Sequence, residues 1–355
     1  MPRPSLSWLL VFVPISVAAE LLHGQPVLIF VTTSLAIVPL AGLIGSATEQ
    51  LAIYAGPRIG GLLNATFGNV TEVIIGVLLV RAAEFDVVKA SLIGSILGNL
   101  VLVLGASYLA GGIRFRYREQ RYSRRAAGMH AASLLLAVAA LVVPAVFVLT
   151  TNETSRQRET VSVLVAVVLI ALYGASLLFS LMSPAHLFGS RQVEDRPDWS
   201  LPRALAVLLV SALVVGVESE FLVGSITPAA SALGISKVFV GLFIVAVVGN
   251  AAEHASAVLF AVRDKMDLAI EISLNSSTQI ALLVAPLLVL VSLPLQRQMD
   301  FVFMPTEVVA VTLATVIVAV ITSDGRSNWL EGLQLLAVYV ILGVAFLIFP
   351  VPAAP

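Results

Sequence analysis

Two glutamates occupy matching surroundings in otherwise apolar sequence: Glu72 in Gly68-Asn69-Val70-Thr71-Glu72, and Glu253 in Gly249-Asn250-Ala251-Ala252-Glu253. Apolar stretches follow both, from Val73 to Val80 and from Ala255 to Val262. An ionised carboxylate deep in a bilayer is costly, and such residues usually mark an ion pathway. Asn69 and Glu72 are three residues apart, as are Asn250 and Glu253, so on a helix each pair shares a face. The next apolar segment of each half adds hydroxyls and amides: Ser91, Ser95 and Asn99 in one, Ser273, Asn275, Ser276, Ser277, Thr278 and Gln279 in the other. If the two helices cross near their centres, these groups form one pocket of oxygens and amides with a single nearby imidazole, His254. Hard cations that take about six to eight oxygens, calcium above all, suit such a pocket. Zinc prefers sulfur and nitrogen, and the chain has no cysteine.

The charge count implies a mechanism. Two carboxylates neutralise one divalent cation. Without it, two anions would face each other in a low-dielectric space, so the empty site is expected to take up protons. Either occupant makes the site neutral enough to switch between inside-facing and outside-facing states. Ligands that shift such a two-state equilibrium in alternation produce antiport.

The elements that carry these residues are membrane helices. The chain has 355 residues, of which 59% are hydrophobic and 12% charged, with mean hydropathy +1.02. A soluble domain carries about 25% charged residues. Continuous apolar runs, without alternation, indicate helices and not a barrel. A net charge of −1 argues against nucleic acid as a partner. A helix needs roughly 20 apolar residues to cross a bilayer. Eleven spans are expected, over about 7–22, 27–54, 57–82, 87–111, 128–150, 160–183, 201–223, 236–261, 267–293, 303–322 and 328–350. The first resembles a signal peptide in having Arg3, an apolar run and Ala18-Ala19, but Glu20-Leu21-Leu22 continues the apolar face without a clear cleavage pattern, so a retained helix is favoured. Basic residues set the orientation. With the N-terminus inside, fourteen lysines and arginines fall on the inner segments and six on the outer ones, and the six arginines between 114 and 125 decide the matter. The N-terminus is expected in the cytoplasm and the C-terminus outside.

The chain repeats itself. Sliding it by 181 positions brings Gly68 onto Gly249, Asn69 onto Asn250, Glu72 onto Glu253, Asp86 onto Asp267 and Ser95 onto Ser276, without a gap. Thr48-Glu49 also resembles Ser219-Glu220, out of that register. Five spans per repeat turn the second copy upside down, the inverted-repeat plan of many secondary transporters, whose site lies at the midplane. The expected organisation is an all-α polytopic membrane protein: an N-terminal helix over 1–25, a first five-helix repeat over 26–183, a cytoplasmic linker over 184–200 and a second repeat over 201–355.

These motifs carry a resemblance. Gly61-Leu62-Leu63-Asn64-Ala65-Thr66-Phe67-Gly68-Asn69 leading to Glu72, and Gly249-Asn250-Ala251-Ala252-Glu253-His254, resemble the two signatures of the cation/proton exchangers of the calcium/cation antiporter superfamily. Gly94-Ser95-Ile96-Leu97-Gly98-Asn99 and Ser276-Ser277-Thr278-Gln279-Ile280 extend both, and the resemblance covers spans 2–11. The family usually has glycine where this chain has Asn275. The resemblance implies a sodium/calcium-exchanger-like fold. It implies that Glu72 and Glu253 hold calcium and exchange protons, that Asn69, Asn250, Ser95, Asn99, Ser276, Ser277, Gln279 and His254 support them, and that Glu49 and Glu220 lie on the ion path. His254 and Gln279 favour protons over sodium as the coupling ion. No resident cofactor is expected, calcium being transient cargo, and a prokaryotic plasma membrane is the expected location.

Plainer readings compete at several positions. Glu49 and Glu220 could lie at helix ends in water, Glu218 reads as a solvated neighbour, His254 could be a packing residue, and Ser95 and Ser276 could bond their own helices. Asp86 and Asp267 begin their spans and read as N-terminal caps. A sodium-coupled exchanger is the nearest alternative. A channel fits less well because pores are commonly rings of equivalent groups. A metalloenzyme lacks its triad, since Glu253-His254 has no partner histidine on the next turn.

Overall fold

The structure is a computed structural model of the chain and describes residues 6–150, 154–182 and 197–349. Arg3 and residues 184–196, which hold most of the expected linker, lie outside the described residues. The helices are α1 (Phe12–Leu21), α2 (Pro26–Phe67), α3 (Val70–Arg81), α4 (Phe85–Leu97), α5 (Leu104–Arg114), α6 (Arg124–Thr150), α7 (Ser155–Met182), α8 (Leu201–Leu233), α9 (Lys237–Phe239), α10 (Ala246–Ala261), α11 (Met266–Gln279), α12 (Ala285–Ser292), α13 (Pro305–Ile321) and α14 (Trp329–Ile348). Single π-helical segments, Gly98–Val103, Val240–Val245 and Ile280–Val284, join α4 to α5, α9 to α10 and α11 to α12 into continuous spans.

Nine helices among the described residues are long and apolar enough to cross a membrane. The remaining two expected spans differ from the sequence reading. The first is a shorter apolar helix, Ser7–Leu21. The third is interrupted: α2 runs on to Phe67, and α3 begins at Val70 after a two-residue break at Gly68 and Asn69. A second break, at Gly56 (φ 77°, ψ 171°), divides α2 itself. That conformation is open only to glycine, and the following Pro57 supplies no amide to close the ladder. Proline is also the first residue of α2 and α13, where its missing N–H costs nothing.

The loops sort onto two faces. On one, Gln120–Arg121 pairs antiparallel with Arg326–Ser327, the Gln120 amide donates to the Ala261 carbonyl at 2.9 Å, and Arg118 pairs with Asp264 at 3.2 Å. On the other, Lys237 pairs with Glu84 at 2.9 Å, Lys89 bonds Asp300, and the Phe301 amide donates to Ser162 at 2.9 Å. The span Phe85–Arg114 is the most enclosed of the nine, while Trp329–Ile348 and Ser155–Phe179 are the least. The first therefore forms the centre of the bundle, and the other two present apolar side chains such as Leu164, Val168 and Ile341 outward.

Candidate cation site

Small residues bring the two repeats together. A Cβ on Gly94 of α4 would collide with the Leu242 carbonyl of the Val240–Val245 segment, and one on Gly241 would stand 2.7 Å from the Val87 carbonyl. The backbones of α4 and of the α9–α10 span therefore touch, as small-residue pairs in membrane helices allow. Gly98, one turn on from Gly94, instead leaves room for the His254 ring, whose Cε1 lies 3.7 Å from where its Cβ would be.

This crossing sets the glutamates face to face. Glu72 lies in the first turn of α3, immediately after the break, where the helix N-terminus favours negative charge. Glu253 lies within the unbroken α10. The Cβ position of Gly249 is 3.5 Å from Glu72 Oε1, and that of Gly68 is 3.7 Å from Glu253 Oε1. Each carboxylate thus rests against the glycine of the other's motif, and the two are close enough to repel one another. Both residues are partly buried, but Glu72 Oε2 and Glu253 Oε2 are each fully enclosed without a hydrogen-bond partner. The same is true of Asn69 Oδ1 and Asn250 Oδ1. Four oxygens, two from each repeat, are therefore buried with no donor aimed at them. Such groups are costly unless something else satisfies them.

The amide nitrogens hold the asparagines in place. Asn69 Nδ2 donates to Gln279 Oε1 at 2.6 Å, and Asn250 Nδ2 donates to Ser95 Oγ at 3.0 Å and to the Ala246 carbonyl at 2.9 Å. Asn99 Nδ2 donates to Ser276 Oγ at 3.0 Å, and Asn99 Oδ1 lies 3.2 Å from His254 Nε2. Ser276 also lies beside the Glu253 carboxylate. With their nitrogens committed, Asn69 and Asn250 keep their carbonyl oxygens free. Ser91 and Ser95 line a cleft with Glu72, Gly76 and Gly249.

Nine of the twelve expected site residues can be placed around or near this gap. Ser277 is buried but donates to the Ser273 carbonyl at 2.8 Å and does not face the carboxylates. Ser273 and Thr278 likewise bond the carbonyls of Ala269 and Leu274. Glu49 and Glu220 are exposed, and Glu220 pairs with Arg81 at 3.2 Å. Their neighbours Thr48 and Ser219 are the buried ones, each with a hydroxyl that has no partner. The parallel between Thr48-Glu49 and Ser219-Glu220 was the sequence signal for that pair. Glu218 is a correction: it is fully buried and not a solvated neighbour, because Ser16 of α1 covers it and bonds it at 2.8 Å.

Known proteins resemble this chain over nearly its whole length. The family model described as "Sodium/calcium exchanger protein" matches residues 25–182 and 203–348. A Ca(2+)/H(+) antiporter of Aphanothece halophytica is 44% identical over 97% of this chain and 96% of its own length. The Ca(2+)/H(+) antiporter ChaA of Bacillus subtilis (strain 168) is 41% identical over 94% of this chain and 96% of its own. The solved structure of native YfkE is 38% identical, covers 97% of this chain and 100% of that one, and superposes with a TM-score of 0.85. The family match over both halves and relatives more than 40% identical over nearly the whole chain show its membership: the chain belongs to the sodium/calcium exchanger protein family.

Proposed function

We propose that this chain exchanges calcium for protons across a membrane by alternating access, with Glu72 and Glu253 holding either one calcium ion or protons. The observation that carries this reading is the set of four buried, unpartnered oxygens: Glu72 Oε2, Glu253 Oε2, Asn69 Oδ1 and Asn250 Oδ1. They are all hard donors of the kind calcium takes, and the two carboxylates supply the charge that balances it. The relatives named as Ca(2+)/H(+) antiporters support calcium and protons as the exchanged pair. Ser95, Asn99, Ser276, Gln279 and His254 act behind these oxygens, fixing the asparagine amides and the Glu253 carboxylate. Glu49 and Glu220, exposed beside the buried Thr48 and Ser219, are the groups a hydrated ion meets on the way in. The arginine-rich face between α5 and α6 is the cytoplasmic one, as the positive-inside bias requires, and the membrane is a prokaryotic plasma membrane.

Reconstitution into proteoliposomes tests the reading. With an acid lumen and neutral medium, calcium is expected to accumulate inside against its own gradient, and collapse of the proton gradient by an ionophore should stop it. Uptake that follows only calcium's own gradient would make the protein a channel. Uptake driven by a sodium gradient and indifferent to pH would make it a sodium-coupled exchanger.

A further inference from the structure

A buried carboxyl outside the calcium site has a hydrogen-bond pattern that favours one protonation state. Glu218 lies near the middle of α8, at the depth where an ionisable group is most costly. Its side chain is fully buried, Oε1 lies 2.8 Å from Ser16 Oγ of α1, and Oε2 is enclosed without a partner. Ser16 Oγ is also 2.8 Å from the Val13 carbonyl. A serine hydroxyl has one proton to donate and can accept as well. It can serve the Val13 carbonyl and a carboxylate together only by splitting that proton into one weaker, three-centre bond.

Both short contacts are full, separate hydrogen bonds if Glu218 carries a proton; without it one serine proton is shared between two acceptors. In the protonated state Glu218 Oε1–H donates to Ser16 Oγ, and Ser16 Oγ–H donates to the Val13 carbonyl. If the proton leaves, the serine hydrogen shifts toward Glu218 Oε1, the bond to the Val13 carbonyl weakens, and a single anion remains with one hydroxyl to stabilise it. Among the described residues no cation is bonded to that anion. The elements packed against α8 carry Glu20 (α1), Glu49 and Arg58 (α2), Glu72 and Arg81 (α3) and Lys237 (α9), while α8 itself carries Arg203 and Glu220. Among the described side chains none of these is bonded or ion-paired to Glu218: Arg81 pairs with Glu220, and Lys237 pairs with Glu84.

We propose that Glu218 is a third proton-binding site, separate from the Glu72–Glu253 pair, and that its bound proton completes the Glu218–Ser16–Val13 chain that ties the N-terminal helix α1 to α8. Since α8 packs along both α2 and α3, the helices around the calcium site, loss of this proton would loosen the contact of α1 with that group.

The test reads the proton directly and does not depend on transport. Infrared difference spectra of the purified, calcium-saturated protein at neutral pH should contain a protonated-carboxyl carbonyl band from Glu218. Glu218→Gln, whose amide can still donate to Ser16, should lose that band, and Ser16→Ala should keep it at a shifted frequency. Carbodiimide labelling mapped by mass spectrometry gives a second reading on the unaltered protein: Glu218 should be modified at neutral pH and spared at alkaline pH. An unchanged band in Glu218→Gln, or an unmodified Glu218 at neutral pH, would overturn the proposal. Calcium–proton exchange could fail with this result intact, and the reverse also holds.

Discussion

Glu253→Gln isolates the contribution of charge. The substitution keeps the volume and one acceptor oxygen, and Gly68 still leaves it space. It removes one negative charge from a pair that faces a single gap and puts an N–H donor where a bare oxygen stood. Calcium then carries an unbalanced positive charge in a partly buried space, with Glu72 as its only anionic ligand. Leaving one charge uncompensated in such a site costs about 3–5 kcal/mol, which is roughly two to three and a half powers of ten in affinity. Glu72→Gln should fall in the same range, because each carboxylate rests against the other motif's glycine in nearly the same way. The assay is calcium-45 uptake into acid-loaded proteoliposomes over a wide calcium range, with the half-saturating concentration as the readout and size-exclusion elution as the control for folding. Monodisperse variants that half-saturate within about threefold of wild type would refute the idea that these charges hold the ion, since that corresponds to well under one power of ten.

Other consequences follow from the same geometry. Asn250→Ala removes one neutral oxygen and leaves Ser95 Oγ without its donor, so calcium affinity should fall by about tenfold, near the worth of one buried hydrogen-bonding group, measured as the half-saturating concentration for uptake. Gly94→Leu forces a side chain into the Leu242 carbonyl and should cost at least about 1–3 kcal/mol, read as a lower unfolding temperature in detergent. Lys89→Met strands Asp300 and should lower thermal stability by about 3 kcal/mol while leaving the half-saturating calcium concentration unchanged. Protons compete with calcium for the carboxylates, so acidifying the calcium side should raise the half-saturating concentration by about tenfold per pH unit for each proton displaced, and raising the pH should reverse it. A pH-independent value would exclude shared ligands.

Much of this was written in the sequence because the duplication is local and ungapped. Gly68-Asn69 and Gly249-Asn250 mark the crossing, and the glutamate three residues on lies on the asparagine's face. The break at Gly56 falls between the expected spans 27–54 and 57–82, although α2 continues past it to Phe67. The π-helical segments were not legible, although Gly98–Val103 and Ile280–Val284 fall at almost the same register under the 181-residue shift. A change from i→i+4 to i→i+5 bonding leaves no mark on an apolar run. Nor was the asymmetry between the halves, in which Gly68-Asn69 interrupts a helix and Gly249-Asn250 does not. Ser277 turns back onto its own helix because a serine's distance along the chain does not say which acceptor it finds. Glu218 was misread because the residue that covers it, Ser16, is 202 positions away in a helix outside the repeat.

The location of the ion tests the account most directly. Anomalous difference density from crystals grown with calcium should show a peak about 2.3–2.6 Å from carboxylate oxygens of both Glu72 and Glu253, with Asn69 Oδ1 or Asn250 Oδ1 among the other ligands, and the peak should vanish in the Glu72→Gln, Glu253→Gln double variant. A calcium peak held by one repeat alone, or one that persists in the double variant, would contradict it.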